Sequence, residues 1–131
     1  MRTPLSALAL SLSALLLTAC GTTGTSAPPS TPVRAADGSL VGPDGRSLYT
    51  FAKDEKGSGT SACYEQCAVN WPPLAVSPSA KPMGDFSIIV RRDNARQWAY
   101  KGQPLYYFVK DSKAGDKTGD GVGGNWKLAR P

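Results

Sequence analysis

The sequence contains no histidine. That removes the commonest general base and the commonest nitrogen ligand for zinc, copper or haem iron. Ser-His-Asp and Cys-His arrangements are excluded with it. Methionine is almost absent: beyond Met1 there is only Met83, too little for a thioether copper site. The ten acidic residues stand singly apart from Asp54-Glu55, and no spacing suggests a glycosidase pair. The glycines between residues 119 and 124 are followed by neither Lys-Ser nor Lys-Thr, so they are no phosphate loop. Asp111, Asp116 and Asp120 lack the spacing of an EF-hand loop and read as a solvated turn. The absences point to a chain with no catalytic residues, no metal site and no cofactor.

What is present is a repeat. Leu48-Tyr49-Thr50-Phe51-Ala52-Lys53-Asp54 recurs 57 positions later as Leu105-Tyr106-Tyr107-Phe108-Val109-Lys110-Asp111. Each copy follows a glycine (Gly45, Gly102) and precedes an Asn-Trp pair (Asn70-Trp71, Asn125-Trp126). Aromatic and β-branched content over so short a stretch reads as a strand. Alternation then places Tyr49, Phe51 and Lys53 on one face and Leu48, Thr50 and Ala52 on the other; Tyr106, Phe108 and Lys110 repeat the first set. The favoured reading makes the tyrosines and phenylalanines core, with Asp54 and Asp111 accepting bonds from turn N–H groups. The competing reading has Tyr49, Tyr106, Asp54 and Asp111 lining one shared site.

Residues 1–19 read as a leader. A short basic start precedes an apolar stretch over residues 5–17, too short to span a bilayer, ending in small residues. Leu17-Thr18-Ala19-Cys20 fits a lipobox, which makes Cys20 the lipidation site and the membrane a partner through its acyl chains. Residues 20–36, rich in Ser, Thr and Pro, cannot bury enough surface to offset ordering entropy and form a tether. Residues 37–131 make one small domain.

Within that domain the pattern predicts a hairpin turning at Pro43-Asp44-Gly45 and a short helix over residues 61–69 with Ser61 as N-cap. A three-stranded meander follows over residues 86–91, 97–100 and 104–109, and a last strand over residues 126–129. The fold class is mostly β: a small antiparallel domain of two related repeats, with one short helical segment and long loops. Each repeat is too small to bury a core alone, so the two should share one.

With Cys20 lipidated, only Cys63 and Cys67 remain, and outside the cytoplasmic membrane a disulfide is the default. A redox pair is disfavoured because the thioredoxin-like pattern is one residue shorter, and thiolate metal binding is the further alternative. Formal net charge is +5, which favours an anionic envelope component as partner. Arg91, Arg92 and Arg96, with Trp98 and Tyr100, form the densest basic stretch. It reads as a solvated hairpin end, and no nucleic acid is expected outside the cell.

The motif Tyr-x-aromatic-x-x-Asp, present at residues 49–54 and 106–111, resembles that of bacterial predicted lipoproteins built from a secreted repeat of unknown function. Cys63 and Cys67 running into Trp71-Pro72-Pro73 are similar to that family's first repeat, and the likeness covers residues 38–131. Where relatives often carry Gly-x-Trp-His in the second copy, this chain has Asn125-Trp126-Lys127. The resemblance implies a membrane-anchored cell-envelope lipoprotein, outside the cytoplasmic membrane, and transfers no activity. The expected function is a non-enzymatic binding or structural module; the alternative is a redox or metal-handling protein using Cys63 and Cys67.

Overall fold

A computed structural model of the chain describes residues 32–35 and 37–131. The leader, Cys20 and most of the tether lie outside the described residues. In chain order the elements are β1 (Val33–Arg34), β2 (Leu40–Val41), β3 (Tyr49–Phe51), α1 (Gln66–Asn70), β4 (Phe86–Val90), β5 (Arg96–Tyr100), β6 (Gln103–Pro104), a 3-10 turn (Val122–Gly124) and β7 (Trp126–Leu128). Every pairing is antiparallel: β1 with β2, β3 with β7, and β4, β5 and β6 in one sheet. This is the mostly-β class read from the sequence.

Both repeats trace the same path, and each completes the other. Leu48 N–H donates to the Leu40 carbonyl at 3.1 Å, and its counterpart Leu105 N–H donates to the Trp98 carbonyl at 2.9 Å. The next chain in each unit is borrowed. Leu40 N–H bonds the Ala129 carbonyl of the second repeat at 2.9 Å, while Trp98 N–H bonds the Leu74 carbonyl of the first at 3.0 Å. Ala129 and Leu74 in turn donate to Leu48 and Leu105, at 2.8 and 2.9 Å. The motifs meet at Tyr49 and Tyr106, whose backbones exchange both bonds, at 2.8 and 3.0 Å. An approximate two-fold axis therefore passes between these two tyrosines.

The alternation within the motif produces two cores. Tyr49, Phe51, Tyr106 and Phe108 share one with Cys63, Trp71, Trp126 and Leu128. Leu48 and Leu105 point the other way, into a second core with Leu40, Leu74, Trp98 and Ala129. Lys53 and Lys110, beyond the strand ends, are exposed.

Three boundaries differ from expectation. Val33–Arg34, assigned to the tether, pairs its backbone with β2, Val33 opposite Val41. A ladder of backbone bonds needs no large apolar side chain, so composition gave no sign of it. The motif strands are shorter than expected, because each turns away to reach the other repeat. The meander's third strand ends at Pro104, and Tyr106 crosses to bridge Tyr49 and Pro73. The helix covers only Gln66–Asn70 and is preceded by Glu65 at φ 56° with no side-chain cap. Ser61 is not its N-cap, because its hydroxyl is committed elsewhere.

Candidate functional site: reciprocal tyrosine–aspartate clasps

The repeated tyrosines and aspartates are buried, and they bond across the repeats. Tyr49 OH donates to Asp111 Oδ2 at 2.6 Å, and Tyr106 OH donates to Asp54 Oδ2 at 2.6 Å. Each tyrosine thus holds the other copy's aspartate. Both tyrosines are fully buried, and Asp54 and Asp111 are 8% and 3% exposed. The four side chains gather about one axis, and all four are buried. They form two clasps, a pairing that the core-and-cap reading of the sequence did not contain.

Each aspartate uses its second oxygen to fasten a loop. Asp54 Oδ1 accepts from Ala62 N–H at 2.7 Å, and Asp111 Oδ1 accepts from Thr118 N–H at 3.0 Å and from the Thr118 hydroxyl. Capping of turn N–H groups is the role read from the sequence, though the capped groups lie 8 and 7 residues downstream. Burial pushes both tyrosine hydroxyls well above their ordinary range, and the neighbouring carboxylates push them further. Burial also raises Asp54, against the lowering effect of the Tyr106 and Ala62 bonds and of the Arg91 charge. Neutral phenols donating to carboxylates is the arrangement that such shifts sustain.

The aromatic rings of the motif continue the reciprocity. Phe51 stacks on Trp126 at 4.2 Å, Trp126 on Trp71 at 3.8 Å, and Trp71 on Phe108 at 4.1 Å. This four-ring pile crosses the axis between the two tryptophans, so each phenylalanine rests on the other repeat's tryptophan. Tyr49 meets Trp71 edge-on at 5.5 Å, and Tyr106 meets Trp126 edge-on at 5.2 Å. Such pairs contribute about 0.5–1.5 kcal/mol each beyond burial.

The symmetry breaks beside Asp54. Arg91, expected on a solvated hairpin end, is 3% exposed. Its Nη1 donates to Ser61 Oγ at 2.9 Å and to Gln97 Oε1 at 2.8 Å, and its Nη2 donates to the Cys63 carbonyl. Ser61 Oγ also accepts from Cys63 N–H at 3.1 Å and lies 2.7 Å from Tyr106 OH. With Tyr106 spending its proton on Asp54, Ser61 must spend its own on Tyr106. The bonds then run in one direction, from the Arg91 cation through Ser61 and Tyr106 to the Asp54 carboxylate. A buried charge is tolerable only when paired and bonded, and this relay does both at a distance. One signal was available: Ser61 and Thr118 both follow a motif aspartate by seven residues.

The rest of the expected basic patch also disperses. Trp98 is fully buried, Arg92 lies over the Tyr64 ring at 3.8 Å, and Arg96 Nη2 donates to the Ala80 carbonyl at 3.2 Å. Asp116 binds the Ser112 and Lys113 N–H groups, and Asp120 accepts from Leu128 N–H at 2.9 Å, so these and Asp111 do not converge. Among the described residues no group of three His, Cys, Asp or Glu side chains gathers as metal ligands would. Cys63 and Cys67 are joined by a disulfide with Cα atoms 5.2 Å apart, and Cys63 is fully buried against the aromatic core.

Comparison with known proteins agrees with this two-fold build. Neither the curated proteins nor the solved structures contain a match to the chain. A family described as "Secreted repeat of unknown function" matches twice, over residues 31–75 and 87–130. The first match includes β1 and ends just past Leu74, and the second ends just past Ala129, so each includes the segment lent to the other repeat. The description is of a secreted protein of unknown role, which fits an extracellular or envelope location. With both copies present and most of its length covered, the chain belongs to the family of secreted repeats of unknown function.

Proposed function

We propose that this chain is a cell-envelope lipoprotein, anchored through Cys20, whose folded part is a rigid, non-catalytic module that holds a binding surface outside the membrane. The observation that carries the reading is the use made of the motif's polar groups. Tyr49, Tyr106, Asp54 and Asp111 are buried and bonded to one another. A catalytic tyrosine or carboxylate must meet its substrate, whereas these groups meet each other. Their repetition is explained by interlocking two copies around two shared cores. Net positive charge favours an anionic envelope partner over a neutral one.

A redox role for Cys63 and Cys67 is the weaker reading. Thiol–disulfide exchange needs an accessible sulfur, and Cys63 is wholly enclosed while Cys67 is only partly exposed. The anchoring reading is tested by labelling cells with radioactive palmitate. Wild-type chain should carry label and partition with membranes, and Cys20→Ser should do neither. Label retained on the mutant would sink the lipidation claim. Free thiols on the non-reduced protein, or metal kept through dialysis, would favour the redox or metal-handling alternative.

A further inference from the structure

Where the chain enters the domain there is a concave apolar surface that the clasps do not use. Pro32, Leu40, Met83, Phe86, Tyr100 and Pro131 line it. Met83, 59% exposed, is its most prominent side chain, and the Met83 and Phe86 backbones bridge each other in a tight turn that holds it there. Lys101 sits at its edge, with Nζ 5.4 Å from the Tyr100 ring, and its N–H donates to the Asp85 carbonyl at 2.9 Å. Lys81 and Arg130, both exposed, are close in sequence to lining residues, and Asp85 is the one acidic side chain of the lining.

We infer that this surface is the membrane-facing side of the domain, seating Met83 among lipid headgroups of an anionic bilayer. The inference rests on anchoring through Cys20. Only twelve positions separate Cys20 from Pro32. From its Ser/Thr/Pro composition a stretch of that length is expected to span roughly 20 Å, so the face that receives it is the face held near the bilayer. That same face presents an exposed methionine and partly buried aromatic rings with Lys101 beside them, and Lys81 and Arg130 adjoin its lining residues in sequence. Apolar side chains inserting at headgroup depth, with lysines and arginines beside them, is the composition of an interfacial surface. Anionic lipid attracts each cation near the surface, which also gives the contact its charge selectivity.

The test uses the lipidated chain in bicelles, with nitroxide-labelled lipid as the probe. Met83 is the only methionine after the leader, so labelling methionine methyls gives one signal from the processed chain. Val69 and Val109, both exposed and outside this surface, serve as controls. In bicelles containing phosphatidylglycerol the Met83 methyl should broaden while the valine methyls stay sharp. Lys101→Glu with Arg130→Glu should restore the Met83 signal without releasing the chain. A sharp Met83 signal on a chain that stays bicelle-bound overturns the membrane-facing surface and leaves the anchor standing. Equal broadening at Met83 and the valines overturns it as well, since no face would then be preferred. A chain that does not bind bicelles at all fails the anchoring reading, and this inference falls with it.

Discussion

Tyr106 donates its hydroxyl proton to Asp54, 52 residues earlier in the chain, and Tyr49 donates to Asp111, 62 residues later. The two clasps look equivalent, but their surroundings are not. Asp111 keeps two bonds from Thr118 if Tyr49 is lost, whereas Asp54 keeps only Ala62 N–H if Tyr106 is lost. Removing Tyr106 leaves the Ser61 hydroxyl without its acceptor, just as removing Tyr49 leaves Gly119 N–H without one, so the difference lies in the aspartates and in the Arg91 charge behind Ser61.

Tyr106→Phe should therefore destabilise more than Tyr49→Phe. Hydrogen bonds to charged groups contribute about 1.5–3 kcal/mol, so Tyr106→Phe belongs at or above the top of that range and Tyr49→Phe near the bottom. Denaturant titration of both variants decides it. Equal losses would mean that the Ser61 and Arg91 relay adds nothing.

The motif's alternation carried much of this arrangement. It placed Tyr49, Phe51, Tyr106 and Phe108 on one face and Leu48 and Leu105 on the other, and the two cores follow that division. Alternation speaks only of faces, however. Which aspartate each tyrosine binds depends on contacts across more than fifty residues, and no local pattern encodes them. Arg91 was misplaced for a related reason. It ends an apolar strand like any surface arginine, and its burial rests on partners assembled by the fold: the Ser61, Cys63 and Gln97 acceptors, the Asp93 carboxylate at 4.0 Å and the Tyr64 ring.

Acid should affect Asp54 and Asp116 with opposite signs. Asp54 has a raised folded-state value, so the folded protein takes up its proton first, and stability gains as pH falls from that value toward 3.8. Asp116, lowered to about 2 chiefly by its Lys113 bond, contributes stability that is present above 3.8 and lost as pH falls toward 2. Asp54→Asn removes the first effect alone. The stability difference between wild type and variant, followed from about pH 7 to about pH 4, should therefore move in favour of wild type. A constant difference would show that Asp54 is not raised.

The disulfide closes a loop whose tip, Glu65, has φ 56° and ψ −126°. A side chain pays in strain in that region, typically about 1–3 kcal/mol, while glycine adopts it freely. Glu65→Gly should raise the denaturation midpoint, against the usual direction for glycine. Reducing the Cys63–Cys67 bond should lower stability by about 2 kcal/mol from chain entropy. Paired melts with and without reductant measure both effects, and a lower midpoint for Glu65→Gly would show the turn to be unstrained.

Because each repeat lends a segment to the other, neither should fold alone. A fragment of residues 32–80 lacks Ala129 for Leu40 and Asp111 for Tyr49. A fragment of residues 81–131 lacks Leu74 for Trp98 and Asp54 for Tyr106. Separately they should show no near-ultraviolet circular dichroism from the tryptophan pile, and mixed in equal amounts they should recover it. A folded single fragment would contradict the interlock.

Gly119 gives the sharpest test of packing at the axis. Its N–H donates to Tyr49 OH at 3.2 Å, so the backbone passes directly beside the clasp. A Cβ placed there would lie 2.9 Å from Trp71 Cη2, Trp71 Cζ3 and Tyr49 Cε1. None of these atoms is the free end of a flexible chain: Trp71 is stacked on Trp126 and Phe108, and Tyr49 is bonded to Asp111. The extra methyl must therefore displace a ring or pull the loop outward, breaking the Gly119–Tyr49 bond. Overpacking a closed core costs about 1–3 kcal/mol, so Gly119→Ala should lose that much in a denaturant titration. Gly119→Ala combined with Trp71→Phe, which shortens the obstructing ring, should lose less than the sum of the two single changes. Simple additivity would place the cost of Gly119→Ala somewhere other than contact with Trp71.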